Sequence, residues 1–316
     1  MERDPAVERL DWLRWRQGGL GASDIMQILL KDSERPYGGP WDVWESKTQT
    51  IGPDEGSESM ALGNWLEKPI GEWVAHDLGR ELRTAEPVQG AEAWMRCTPD
   101  FWLFDPQNGG IEGLECKLSG KGWMWRDGVP PFVHLQAMWC MMCTGTPVWN
   151  VGAYLPGEWK RGRWLIERNE DLEGEVVELA RRWWETHVVE GKPPPVDGSK
   201  ECSNALAKIY PEVKVAELIE ADGDQCAMIS ELVDMAKTAK AHAARKRVIQ
   251  NELAAAVGDN KGIKGARGSL TWYPKAGTTR LDSKTLKSAH PDIWKEFSVT
   301  GEPSRVARLV AAKEQK

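Results

Sequence analysis

Apolar and polar positions alternate with helical spacing near the start of the chain, and Val7 to Trp15 reads as an amphipathic helix. A glycine-rich loop, Gln17-Gly-Gly-Leu-Gly-Ala-Ser-Asp24, then delivers Ser23 as the expected N-cap of a helix from Asp24 to Leu30. Pro40 opens a short helix through Trp44. After the Gly-, Ser- and acid-rich stretch Gly52 to Ser59, Leu66, Ile70 and Trp73 or Val74 line one face of a helix, and Pro69 places Glu67 near its first turn or at a kink. Two β runs follow, Trp94 to Leu103 and Ile111 to Leu118, joined by the turn residues Asp105-Pro-Gln-Asn-Gly-Gly110, so a hairpin is predicted. Pro130-Pro131 starts a helix to about Cys143, stopped by Gly145, with Leu135, Met138, Trp139 and Met142 as its apolar stripe. Strands at Val148 to Leu155 and Arg163 to Glu167 and a helix at Leu172 to Val189 complete a first domain. The stiff run Gly191-Lys-Pro-Pro-Pro195 marks its end, giving domains at 1–195 and 196–316. The second part holds a long helix, Asp222 to Val257, a hairpin (Ile263 to Tyr273, then Thr278 to Leu281), a capped helix from Asp282 and a last strand near Arg305 to Val310.

Composition narrows the class. A chain of 316 residues with 41% hydrophobic content can bury a substantial core. No run approaches the roughly 18 apolar residues that span a bilayer, so no membrane is expected. Six cysteines scattered through apolar contexts favour reduced thiols and a cytoplasmic home. The net charge of -7 is unevenly spread: residues 201–316 carry 19 Lys and Arg against 15 Asp and Glu, and residues 1–200 carry 22 against 33. An acidic first domain that acts on nucleic acid needs its carboxylates loaded with cations.

Such carboxylates stand at Thr98-Pro-Asp100 and, 15 residues after Asp100, at Glu115-Cys-Lys117. On a strand, Glu115 and Lys117 project from one face about 7 Å apart, while Leu114, Cys116 and Leu118 turn into the core. Asp100 on the partner strand can converge with Glu115 on one divalent cation, because oxygen ligands suit Mg²⁺. Lys117 beside them can orient an attacking water and offset charge on phosphorus. By itself the pattern also fits an exposed hairpin carrying an ion pair.

This is the PD-(D/E)xK arrangement, and the order of Glu67, Asp100, Glu115, Lys117 and Gln136 along helix, strand, strand and helix resembles that nuclease fold. Arg16-Gln-Gly-Gly-Leu-Gly-Ala-Ser-Asp24, Gly63-Asn-Trp-Leu-Glu67, Cys97-Thr-Pro-Asp100, Gly113-Leu-Glu-Cys-Lys117 and Pro131-Phe-Val-His-Leu-Gln136 resemble the successive blocks of the YqaJ family of viral recombinases, relatives of lambda exonuclease. The resemblance covers roughly residues 8 to 155. Leu270-Thr-Trp-Tyr273, Arg280-Leu-Asp282 and His290-Pro-Asp-Ile-Trp294 also look like the tail of longer members.

The resemblance implies an α/β fold: a restriction-endonuclease-like PD-(D/E)xK core, a mixed central sheet flanked by helices, with a carboxyl-terminal helical and small β extension that serves oligomerisation, DNA or partner contact. It implies a metal-dependent deoxyribonuclease, a 5′ to 3′ exonuclease on linear double-stranded DNA that leaves 3′ overhangs for phage-type recombination. Asp100, Glu115 and the main-chain carbonyl of Cys116 would hold a first Mg²⁺, and Asp100 would touch a second. Glu67 would reach a metal directly or through water, and Mn²⁺ would substitute. Lys117 would position the water and Gln136 would hold it or the lysine, with the two ions about 4 Å apart in an in-line hydrolysis. Arg16, Ser23 and Thr98 match positions that bind the 5′-phosphate, and Lys121 and Arg126 would meet other phosphates. Implied partners are duplex ends, a single-strand-annealing recombination protein and further copies of the chain, as in a trimeric ring; a phage-encoded chain would work in the bacterial host cytoplasm. Two rivals stay open: a nuclease of the same fold with another polarity or an endonucleolytic mode, as in RecB-type or repair enzymes, and a catalytically silent scaffold at DNA ends.

Other features carry blander readings. Cys140-Met-Met-Cys143 lies in a predicted helix with no second pair at suitable spacing, so core packing is expected. The five histidines show no paired ligand spacing, although His134, two residues before Gln136, borders the expected site. Trp123 and Trp125, in Gly120-Lys-Gly-Trp-Met-Trp-Arg126, can wedge or stack on a DNA end. The basic stretch Lys240-Ala-His-Ala-Ala-Arg-Lys-Arg247 is by default a solvated face; its functional reading is duplex contact or docking.

Overall fold

The computed structural model describes residues 5–50, 57–299 and 307–310. It divides into two compact units, Met1–Leu206 and Ala207–Lys316. The first opens with α1 (Pro5–Gln17), α2 (Ala22–Leu29), α3 (Pro40–Thr48) and the long α4 (Glu58–Leu78). Strands β1 (Glu81–Thr84), β2 (Val88–Gln89), β3 (Arg96–Cys97), β4 (Phe101–Phe104) and β5 (Ile111–Leu118) follow, then α5 (Pro131–Thr144), β6 (Val148–Leu155), β7 (Lys160–Glu167) and α6 (Glu170–Trp183). A five-stranded sheet of order β1-β4-β5-β6-β7 forms the centre. β5 pairs antiparallel with β4 and parallel with β6, and α5 makes the crossover between the parallel pair.

Alternation along β5 and β6 feeds two cores. Leu114 and Cys116 join Leu103 and the α4 residues Ile70, Val74 and Ala75. Trp149, Val151 and Ala153 join α2 and most of α5 on the other side. Gly152 lets α4 approach, since a Cβ there would stand 2.6 Å from Val74 Cγ2. α5 is buried nearly all round, from Val133 through Cys143, rather than along a single stripe, because it is enclosed by the sheet and by α2. A mixed sheet between helices is the α/β architecture expected.

The remaining differences have local causes. The expected strand Trp94 to Leu103 is broken into β3 and β4, since Pro99 has no N–H for a ladder. Ser23 lies inside α2 and does not cap it: Gly21 is the N-cap, and its N–H donates to Asp24 Oδ2 at 2.8 Å. α4 starts at Glu58, so Glu67 sits mid-helix and Pro69 is accommodated beyond it. The acid-rich stretch at 52–56 lies outside the described residues.

The first unit ends beyond the proline run where the sequence suggested a boundary. α7 (Lys200–Ile209) buries Cys202 and Ala205 with Trp41 and Trp44. The second unit holds α8 (Gly223–Val257), whose expected first residue, Asp222, is its N-cap, and a small hairpin of β8 (Gly262–Gly265) and β9 (Gly268–Thr271). The hairpin is shorter than predicted: it turns at Ala266-Arg267, and 272–282 form no strand, Pro274 lacking a donor. α9 (Ser283–Ala289), capped by Asp282, and α10 (Pro291–Phe297) follow. Over its described residues, 307–310, the expected last strand is not formed. Among the described residues no helix is long and apolar enough to cross a membrane.

Candidate active site

β5, which carries Glu115 and Lys117, lies inside the sheet with both edges paired. Its Leu114 and Cys116 face α4, which turns Glu115 and Lys117 to the side of α5. Phe101 pairs with Leu114 across the β4–β5 ladder, so Asp100, one residue earlier, is carried opposite Glu115. Asp100 Oδ2 accepts a 2.6 Å hydrogen bond from the Cys116 N–H. The Lys117 ammonium donates to Glu115 Oε1 in a close ion pair. Glu115 is buried and Lys117 half-buried. On α5, Gln136 is buried as well, and its Oε1 has no hydrogen-bond partner.

Three carboxylates crowd a single lysine. Burial, reinforced by the charge of Glu115, pushes the Asp100 carboxyl well above its usual range, with Lys117 opposing. Burial and Glu115 likewise raise Glu67, again against Lys117. For Lys117 burial works against the charge, yet Glu115 and Asp100 outweigh it and hold the ammonium above its usual range, with Tyr37 adding to the effect. The structure thus brings Glu67, Asp100, Glu115 and Lys117 into one electrostatic cluster. Side chains of Asp, Glu, His and Cys nowhere form a ready three-ligand cage among the described residues. The reason is visible here: Asp100 is turned onto a backbone N–H and Glu115 onto Lys117.

A second cluster gathers around Asp24. Arg16 Nη2 donates to Ser23 Oγ at 2.5 Å and lies 3.6 Å from Asp24 Oδ1. Lys47 Nζ lies 2.6 Å from Asp24 Oδ2, buried with it, and donates to the Arg16 carbonyl at 3.1 Å. Burial opposes the charge of Asp24, but Lys47 and Arg16 more than offset it and lower its pKa. Burial lowers Lys47, and the nearby cations Arg16 and Arg96 push the same way. Gly18 and Gly19 lie against the Arg96 guanidinium, which also stands 5.0 Å from the Trp15 ring centre.

Lys47 and Arg96 escaped the sequence reading, having no motif of their own. Thr98 is exposed in the loop between β3 and β4, and Lys121 is exposed before the turn Gly122–Trp125. Trp125 is not available to DNA: it is buried with its ring centre 5.0 Å from that of Trp164. Trp123 stays 62% exposed, and Trp159, also missed, is 85% exposed on a touching loop, where Glu158 meets Gly122. Trp159 has φ +51°, the one left-handed backbone among the described non-glycine residues. Cys140 and Cys143 lie in the core with Cys97, the packing role expected. His134 is half-buried, and burial lowers its pKa.

Comparisons with known proteins agree with this layout. Residues 11–147 match the YqaJ-like viral recombinase domain. An uncharacterized protein YqaJ of Bacillus subtilis (strain 168) is 23% identical over 309 residues, covering 94% of this chain and 92% of that protein. Among solved structures, the alkaline exonuclease LHK-Exo of Laribacter hongkongensis aligns with 57% of this chain and 93% of its own at 20% identity and a TM-score of 0.47. A phage related exonuclease from Haemophilus somnus 129PT aligns with 55% of this chain and 96% of its own at 13% identity and a TM-score of 0.41. The matched segment, residues 11–147, is similar to the YqaJ-like viral recombinase domain and carries both charged clusters.

Proposed function

We propose that this chain is a divalent-metal-dependent deoxyribonuclease that digests linear duplex DNA from the 5′ end and leaves 3′ single-stranded overhangs for phage-type recombination. The observation that carries the reading is the buried surplus of carboxylate around Lys117, with a partnerless Gln136 oxygen on the adjoining helix. Such crowding raises carboxyl pKa values and is relieved by a cation.

The donor set fits Mg²⁺, with Mn²⁺ as a substitute: Asp100, Glu115, the Cys116 carbonyl and Glu67 offer hard oxygens, and Mg²⁺ needs only one or two carboxylates besides water. Such ions, when bound, would supply positive charge to the scissile phosphodiester. Lys117, held protonated by its neighbours, donates to the attacking water or to a phosphate oxygen. Glu115 fixes the direction of that ammonium, and Gln136 offers its amide to Lys117 or to the water. No side chain forms a covalent link to DNA.

The Asp24 cluster supports the choice of end. Arg16 presents a guanidinium beside Ser23 at the first turn of α2, and Lys47 and Arg96 add positive charge, an environment suited to a terminal phosphate. Thr98 and Lys121 provide further contacts, and Trp123 with Trp159 offers exposed rings for bases beyond the cut. In this reading the overhang passes to an annealing protein and the exonuclease works in the host cytoplasm; a ring of copies around the duplex would confine the positive field to a channel.

The test follows nucleotide release from linear duplex with 5′-phosphate or 5′-hydroxyl ends, and from covalently closed circles, in Mg²⁺ or EDTA. Release from linear ends only, faster with 5′-phosphate and abolished by EDTA, is the expected result. Cutting of closed circles at equal rate means an endonuclease, and loss of the 3′-ended strand reverses the polarity. End binding without release under any divalent metal overturns catalysis and leaves an end-binding scaffold.

A further inference from the structure

α8 is 35 residues long, about 50 Å, and among the described residues its one buried side chain is Val257 in its last turn, where the helix packs against the β8–β9 hairpin. Met228, Leu232, Met235, Ala239, Ile249 and Leu253 follow each other at the three- and four-residue spacing of a helix–helix seam, with His242 and Lys246 at the two polar places within it. The first three of these apolar side chains are 60, 53 and 58% exposed. A shallow groove lined by Glu231, Asp234, Met235, Thr238, Ala239 and His242 marks the middle of the helix, where the side chains are small. A seam of this kind left in water is stabilised by covering it.

Charge identifies what covers it. From Asp222 to Ala236 every charged residue is acidic: Asp222, Asp224, Glu231 and Asp234. From Lys240 to Arg247 every charged residue is basic: Lys240, Arg245, Lys246 and Arg247. A second copy lying antiparallel sets each acidic segment on the other's basic segment and keeps the small residues near the crossing. A parallel copy would set like charges together. We infer that α8 is the surface on which two copies of this chain pair, helix against helix and antiparallel. The basic stretch is then one half of a self-complementary seam. The inference stands apart from the proposed chemistry, because it uses no residue of the nuclease unit.

Sedimentation of the full chain tests it. The wild type is expected at an even multiple of the chain mass, and the double variant Leu232→Asp, Met235→Asp at half the wild-type mass with unchanged helix content by circular dichroism. A monomeric wild type, or a variant of unchanged mass, overturns the pairing. If the variant fails to fold, cross-linking decides. Among the cysteines only Cys226 is exposed, so in a Cys226→Ser background a thiol oxidant reports on introduced cysteines. Met228→Cys mixed with Ile249→Cys is expected to give a disulfide-linked pair, and Met228→Cys alone is not. Self-linking of Met228→Cys, or no linking in the mixture, overturns the antiparallel arrangement. Unchanged mass together with lost duplex affinity in Arg245→Ala, Lys246→Ala would assign the basic stretch to DNA and overturn pairing as well.

Discussion

Two groups of charged side chains lie in the first unit, and they are balanced in opposite ways. Around Asp24 two cations, Lys47 and Arg16, serve one carboxylate, and its pKa falls. Around Lys117 one cation serves Glu115, Asp100 and Glu67, and the carboxyl pKa values of the last two rise. Burial is similar in kind; the sign of the surplus differs. An acid lowered by surrounding cations is a supporting group whose cations still have charge to offer an anion. Acids raised by one another are destabilised in the metal-free protein and gain when a cation arrives.

The contrast breaks most sharply on the lysines. Lys117→Ala is expected to cut nucleotide release from linear duplex by roughly 10²- to 10³-fold, with little change in the urea midpoint, because it removes the group proposed to act on the phosphate. Lys47→Ala should do the reverse in kind, costing about 3 kcal/mol in urea unfolding, since the buried Asp24 loses its nearest partner. Equal losses of activity and stability in both variants would erase the distinction.

Divalent metal and pH sharpen it. At a hundredfold excess over its dissociation constant, Mg²⁺ should stabilise the wild type by about 2.7 kcal/mol and an Asp100→Asn variant by less, read as a shift in melting temperature. In EDTA the sign follows from the raised Asp100 pKa. The folded protein holds that proton more tightly than the unfolded chain, so this contribution is complete below the ordinary carboxyl pKa of 3.8 and is lost as pH rises through the higher folded value. Melting temperatures in EDTA should therefore fall across that window in the wild type relative to Asp100→Asn, and Mg²⁺ should remove the difference. The smallest effect is on end choice: Arg16→Ala should reduce the preference for a 5′-phosphate over a 5′-hydroxyl by about tenfold, the value of one charge-assisted contact.

How much of this was legible depended on range. β5, α5 and the turn between β4 and β5 were readable because alternation, Pro131, Gly145 and the Asp105–Gly110 turn act within a few residues. The placing of Asp100 against Glu115 followed from that hairpin, with the break at Pro99 the main local surprise. Lys47 and Arg96 were invisible for the opposite reason. Lys47 sits on a short, mostly polar helix, and only folding brings it to Asp24; Arg96 meets Gly18 and Gly19 across an equally distant fold contact. Ser23 was read as the N-cap of the second helix, a task that Gly21 and Asp24 share instead. Trp123 and Trp125 look equivalent in sequence, and only the position of Trp164 decides which one is buried.

The place of β5 between β4 and β6 has a consequence for how the protein is made. Glu67, Asp100, Glu115, Lys117 and Gln136 come from four stretches of chain, and the strand that carries two of them gains its second neighbour only with β6, which ends at Leu155. On a ribosome, where domains fold from the amino terminus onward, the proposed cutting face is incomplete until about half of the 316 residues have emerged. In the proposed reading, chains terminated before this point lack a complete cutting face.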